Sequence, residues 1–172
     1  RPQTPAGDLQ YLFAPLKHAR LDYMVQKAVE MGVTRLQPVL TRHTQVARIN
    51  TGRMRANAIE AAEQCGILSL PEIAEPAPLA AALAGSGDRL LVFCDEGAEV
   101  KDPVAALAAA SSAPGPLAVL IGPEGGFDAA ERDALLRLPR VVRIALGPRI
   151  LRADTAAVAA LALVQAVRGD WR

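Results

Sequence analysis

Along this 172-residue chain, short apolar runs alternate with stretches whose apolar positions recur every three or four residues. The alternation predicts an α/β domain on a largely parallel sheet flanked by helices. Residues 9–14 predict a first strand. Over residues 18–31, Leu21, Met24, Val25, Ala28 and Met31 fall at helical spacing, and Gly32 stands where a helix end is commonly closed. Strands are predicted at 36–40 and 72–74, a helix at 54–64, and a short helix at 79–83 after Pro76 and Pro78. The runs at 90–94 and 117–121 are unbroken apolar segments, as strands covered on both faces require, so they belong at the sheet centre. Between them, residues 104–110 read as an alanine-rich helix and 111–116 as a loop. Asp128 and Glu131 have capping-box spacing and start a helix over 129–138, stopped by Pro139. A strand at 142–146 follows, then a helix at 155–168 that is apolar on nearly every face and therefore asks for burial on several sides, by one core and one partner surface.

The length suits one domain, and 51% hydrophobic against 22% charged residues supplies enough apolar surface to offset chain entropy. Aromatic residues make up only 3%, which argues against modules that bind RNA by stacking bases on rings. Cys65 and Cys94 have no CxxC partner and there are only two histidines, so neither a disulfide framework nor a usual metal site is expected. Both thiols are expected reduced and buried, which fits a cytoplasmic protein. The most apolar stretch, 156–167, is shorter than the roughly 20 residues a membrane span needs. The opening Arg1-Pro2-Gln3-Thr4-Pro5 lacks an initiator Met and a signal-peptide layout, so residues 1–8 are expected to be a linker from a preceding domain.

The net charge of +1 conceals segregation. Between Glu30 and Glu60 there is no acidic residue, yet Arg35, Arg42, Arg48, Arg53 and Arg55 lie there with His43. Between Asp133 and Asp154 the same holds for Arg137, Arg140, Arg143, Arg149 and Arg152. Two such stretches in one domain can form a phosphate-binding surface, or can face acids elsewhere in the fold.

Two loops follow apolar strands at the end where open α/β sheets place ligands. The first is Gly122-Pro123-Glu124-Gly125-Gly126-Phe127, whose glycines let a ligand approach the backbone. The second is Leu146-Gly147-Pro148-Arg149-Ile150-Leu151-Arg152, which feeds into the last helix at Asp154-Thr155. Neither is GxGxxG, and there is no GxxxxGK[ST] or Gly-x-Ser-x-Gly, so nucleotide-binding and hydrolase readings lack their fingerprints.

These two loops, with Lys27-Ala-Val-Glu-Met-Gly-Val33, Thr41-Arg-His-Thr44 and Glu60-Ala-Ala-Glu-Gln64, resemble the blocks of the ribosomal RNA small subunit methyltransferase E family of the SPOUT superfamily, in the same order. The resemblance runs from about residue 9 to 168. It implies a SPOUT methyltransferase domain at 9–172 with a C-terminal trefoil knot, and a preceding PUA-like domain that these residues do not include. It also implies a homodimer that uses S-adenosyl-L-methionine to methylate N3 of a uridine in the 16S ribosomal RNA of the small ribosomal subunit. Rival readings are a SPOUT enzyme acting on transfer RNA and an RNA-binding module without catalysis. Two departures stand out: Ile67 occupies the place of a family arginine, and Asp154 that of a glutamate.

Carried onto this chain, the resemblance implies a cofactor pocket from Phe93, Leu120, Ile121, Gly122, Pro123, Gly125, Gly126, Leu146, Gly147, Ile150, Leu151, Thr155 and Ala156, with Leu120, Leu146 and Leu151 sandwiching adenine. Arg152 is the candidate to support the N3 anion, with phosphate binding or helix capping as its alternative. Glu124 is the candidate base or cofactor-orienting carboxylate, with a loop-ordering hydrogen bond as its alternative. Arg42, His43, Arg48, Arg53, Arg55 and Arg149 are the candidate RNA contacts.

Overall fold

The computed structural model describes residues 7–45, 48–99, 102–110 and 115–171. Most of the expected linker, residues 1–6, and most of the loop before residue 117 lie outside them. In chain order the elements are β1 (Leu9–Phe13), α1 (His18–Glu30), β2 (Arg35–Leu40), α2 (Thr51–Cys65), β3 (Glu72–Ile73), β4 (Ala77–Pro78), α3 (Leu79–Ala84), β5 (Leu90–Cys94), α4 (Pro103–Ala109), β6 (Leu117–Ile121), α5 (Ala129–Leu136), β7 (Val141–Ile144) and α6 (Ala153–Val167). The strands run in the order β3-β2-β1-β6-β5-β7, every pair parallel, with β4 added beside β2. Register is direct across the centre: Phe13 faces Ile121, and Ile121 faces Cys94.

The period of two along each strand sorts side chains into two cores. Tyr11 and Phe13 of β1, Leu90 and Val92 of β5, and Leu117, Val119 and Ile121 of β6 pack with Met24, Val25, Met54, Leu107 and Leu161 from α1, α2, α4 and α6. Leu12, Leu91, Phe93, Ala118 and Leu120 point to the other face, against Leu79 and Ala82 of α3 and Leu135 of α5. The result is a parallel sheet between two helical layers. Burying one Leu or Phe side chain contributes about 1.5–3 kcal/mol, and both faces of β1, β5 and β6 are filled this way.

Several helices start on the signals their sequences carry. Asp128 accepts from the Glu131 N–H (2.7 Å) while the Glu131 carboxylate accepts from the Asp128 N–H (3.1 Å), a complete capping box on α5. Asp102 caps α4 and Asn50 caps α2 by accepting from first-turn N–H groups, without the reciprocal bond. The last strand ends at Ile144, two residues before the expected end, which leaves Ala145 and Leu146 free to begin the loop into α6. α6 packs on α1, α4 and β6, while Val158, Ala159, Ala162 and Leu163 remain half-buried. Cys65, the last residue of α2, is exposed, contrary to the burial expected of it.

Candidate functional site

Adjacent parallel strands β6, β5 and β7 end side by side, so the loops that leave them converge. Together they wall a cavity of about 510 Å³, within the range of small-molecule sites. One wall is the turn after β5, with Phe93, Cys94, Asp95 and Glu96. The second is the loop after β6, contributing Ile121, Gly122, Pro123, Glu124, Gly126 and Phe127. The third runs from Ile144 through Leu146, Gly147, Ile150, Leu151 and Arg152 to Ala156 on α6.

Most of the residues singled out from the sequence therefore face one space, including Glu124, Arg152 and Arg149. Three do not. Leu120 has no exposed surface and belongs to the core beneath the sheet, so it cannot sandwich a ligand; its neighbour Ile121, on the opposite phase of the strand, is the one that reaches the cavity. Gly125 turns away and lies against His43, whose Cβ sits 3.4 Å from where a Gly125 side chain would begin. Thr155 is exposed and lies outside the cavity wall.

The glycines serve different purposes. A Cβ on Gly122 would stand 2.5 Å from Cε2 of Phe127, so this glycine makes room for the ring rather than for a ligand. The ring in turn packs edge-on against Phe93, centroids 5.5 Å apart. Gly147 adopts φ +91°, a conformation that side chains rarely allow, and a Cβ there would enter open space.

Charge around the cavity is organised by two clusters. Asp95 takes Arg132 at 2.9 Å, Arg143 at 2.8 and 3.0 Å, and the Gly97 N–H at 3.0 Å. Burial alone would raise the Asp95 carboxyl, but the Gly97 amide and the guanidiniums of Arg143 and Arg132 outweigh it and hold the group below its ordinary value. In the second cluster, Arg20 of α1 reaches Asp154 with Nε (3.3 Å) and a terminal nitrogen (2.9 Å), and reaches Glu124 with the other terminal nitrogen. The Arg20 hydrogen bond holds the Asp154 carboxyl low, and the two carboxylates raise Arg20. Burial pushes the Cys94 thiol up to about 12, so it is no nucleophile near neutrality. Among the described residues no group of His, Cys, Asp and Glu could hold a metal ion.

The candidate RNA residues divide. Arg42, His43, Arg48, Arg55 and Arg149 are exposed. The loop bearing the first two docks on the glycine loop: His43 Nδ1 lies 3.0 Å from the Gly126 carbonyl, and the Arg42 N–H donates to Glu131 (2.8 Å). Arg53 is exposed too but grips Asp22 with both Nε (2.9 Å) and a terminal nitrogen (2.6 Å). Arg35 is likewise paired with Glu72, and Arg143 with Asp95, so part of each arginine stretch does face acids within the fold. Arg152 precedes α6 at its N-cap, where its side chain makes no capping bond and stays exposed. Arg20 and Arg132 are the site residues the sequence did not indicate. For Arg20 one signal existed: a cation in the first turn of a helix that has no acid there opposes the helix dipole and calls for a partner.

The sequence pattern of the RNA methyltransferase domain matches residues 2–165. The ribosomal RNA small subunit methyltransferase E of Rickettsia conorii is 30% identical over 152 residues, 88% of this chain and 62% of that protein. The chain thus spans less than two thirds of that relative. The crystal structure of the same-named enzyme from Neisseria gonorrhoeae, bound to S-adenosyl methionine, superposes with a TM-score of 0.80 at 26% identity, covering 99% of this chain and 70% of that one. A methyltransferase from Legionella pneumophila in complex with the same cofactor gives 0.79 at 29% identity, covering 94% and 66%. None of the helices among the described residues is long and apolar enough to cross a membrane. With the family pattern over nearly its whole length, this chain belongs to the RNA methyltransferase domain family.

Proposed function

We propose that this chain is the catalytic domain of a cytoplasmic enzyme that methylates N3 of a uridine in 16S ribosomal RNA with S-adenosyl-L-methionine. The observation that carries the reading is the cavity at the ends of β5, β6 and β7, which joins both family loops, Glu124 and Arg152 around one space. Its donor set suits the cofactor: Ile121, Leu146, Ile150 and Leu151 offer apolar surface, Glu96 and Glu124 offer carboxylates, and Arg149 offers a cation for a carboxylate. When bound, the cofactor supplies an electrophilic methyl group.

The work of this chain's own residues is positioning and charge. Holding both reactants in line converts a bimolecular encounter into an effectively unimolecular step. Uridine N3 must lose its proton before it can attack. The charge then spreads onto the two carbonyl oxygens, and the guanidinium of Arg152 is the group we assign to meet it, a reading supported by its exposure at the cavity wall. Glu124, half-exposed at the rim, is available to take the N3 proton or to orient a cationic ligand group. Arg42, Arg48, Arg55 and Arg149 supply exposed charge for the RNA backbone, with His43 beside the glycine loop.

The loops 122–127 and 146–152 are read as the knot loops of a SPOUT trefoil. The half-buried apolar face of α6, with Val158 and Leu163, supports a homodimer. Calorimetry with S-adenosyl-L-methionine tests the cofactor reading, and Arg152→Ala tests the chemistry. The variant should lose turnover by roughly 10²-fold or more while cofactor affinity changes much less. Full turnover would remove Arg152 from the reaction.

A further inference from the structure

Arg20 stands outside the family loops, yet it bonds both to the first of them and to the start of the helix into which the second feeds. Its partner Glu124 lies 104 residues away in the loop after β6, and Asp154 lies 134 residues away in the first turn of α6. Three of its five N–H donors are used, in a fork that only a guanidinium can offer to two carboxylates at once. The surroundings make the pairing consequential. Asp154 keeps only 18% of its side-chain surface and Arg20 31%, so the pair is better shielded from solvent than an ordinary surface ion pair. Asp154 follows Arg152 by two residues, and Glu124 stands exposed between Pro123 and Gly125. Without a cation between them, two carboxylates would face one another where the loops meet.

We propose that Arg20 is a positioning residue that clamps the loop after β6 to the start of α6, and so sets the spacing between Glu124 and Arg152 across the cavity. It touches neither reactant; it acts through the two carboxylates. The consequence for cofactor binding rests on the reading above, whereas the consequence for loop order does not.

Two measurements on Arg20→Ala and Arg20→Lys separate these. Hydrogen exchange on the free protein should show faster exchange of the amides of residues 122–127 and 153–157 in Arg20→Ala, with β1, β5 and β6 unchanged. Arg20→Lys, which keeps the charge but can meet only one carboxylate well, should lie between. Unchanged exchange at both segments overturns the clamp. Faster exchange throughout the sheet also overturns it, since that marks a general loss of stability. By calorimetry, S-adenosyl-L-methionine should bind Arg20→Ala about tenfold or more weakly, in keeping with the loss of charged hydrogen bonds. In a Glu124→Gln, Asp154→Asn background the same substitution should cost less than about twofold, because the groups it acts through are already neutral. An equal loss in both backgrounds overturns the route through the carboxylates. Absence of binding by the unaltered chain overturns the cofactor reading, and the exchange result then stands or falls by itself.

Discussion

Replacing Gly122 by alanine adds a single methyl group where the structure has no room for one. That methyl would lie 2.5 Å from Cε2, 3.0 Å from Cζ and 3.1 Å from Cδ2 of Phe127, against a favourable carbon separation of about 3.5–4.0 Å. The ring edge must retreat by about 1 Å. Phe93, which the ring meets edge-on, is 1% exposed and fixed in the core, whereas Phe127 also borders the cavity, so the ring is expected to retreat toward the cavity. Overpacking of this kind costs about 1–3 kcal/mol, and losing the edge-on contact with Phe93 adds about 0.5–1.5 kcal/mol. A net loss of about 2 kcal/mol in a chain of this size lowers Tm by about 4–8 °C. The displaced ring also takes ligand space, so cofactor affinity should fall by about tenfold or more, which is about 1.4 kcal/mol. Thermal unfolding and calorimetry read the two effects separately. Phe127→Ala supplies the control: with the ring gone, adding the Gly122 methyl should cost less than about 0.5 kcal/mol more. Gly122→Ala with an unchanged Tm, or a cost that persists in the Phe127→Ala background, would refute the packing described.

Gly147→Val should abolish binding of S-adenosyl-L-methionine while the chain stays folded, because φ +91° is costly for a branched residue and its side chain would project into open space; wild-type affinity by calorimetry would count against the cavity as the cofactor site. Asp95 and Asp154 both titrate below their ordinary values when folded, so the stability they confer is complete above about pH 4 and is lost as pH falls through the lowered values. Asp95→Asn should therefore flatten the acid limb of the urea midpoint against pH, and an unaltered limb would contradict the pairing. RNA binding should fall with salt by about 0.7 log units per log salt for each single-strand phosphate met, and Arg42→Glu or Arg55→Glu should reduce that slope. Arg53→Glu should also lower stability, since it places a second carboxylate against Asp22; a filter-binding series with a flat salt response would leave these arginines without an RNA role.

What the sequence disclosed follows from which forces are local. Strand and helix positions were legible because burial on both faces of a parallel sheet writes unbroken apolar runs such as 117–121, and caps such as Asp128 with Glu131 act within one turn. The convergence of the two loops was legible from their places after apolar strands of one parallel sheet and from the family resemblance. Leu120 was misplaced although the period of two carried the answer: Leu117, Val119 and Ile121 share one face and Leu120 the other. β4 was missed because a two-residue strand ending in Pro78 has no periodicity to read. Gly122 looked like ligand clearance because a sequence does not reveal that the ring five residues later folds back over it. The partners of Arg20 were invisible for a deeper reason. They lie more than 100 residues away, and only the sheet order, which sets β6 beside β1, brings them together.

The central claim is tested most directly by incubating unmodified small-subunit ribosomal RNA with the protein and labelled S-adenosyl-L-methionine, then mapping the product by mass spectrometry to the base and to the atom. The account predicts one added methyl on a uridine, carried by N3 of the ring. A methyl on a ribose oxygen, on another base, or on transfer RNA in preference to ribosomal RNA would contradict it.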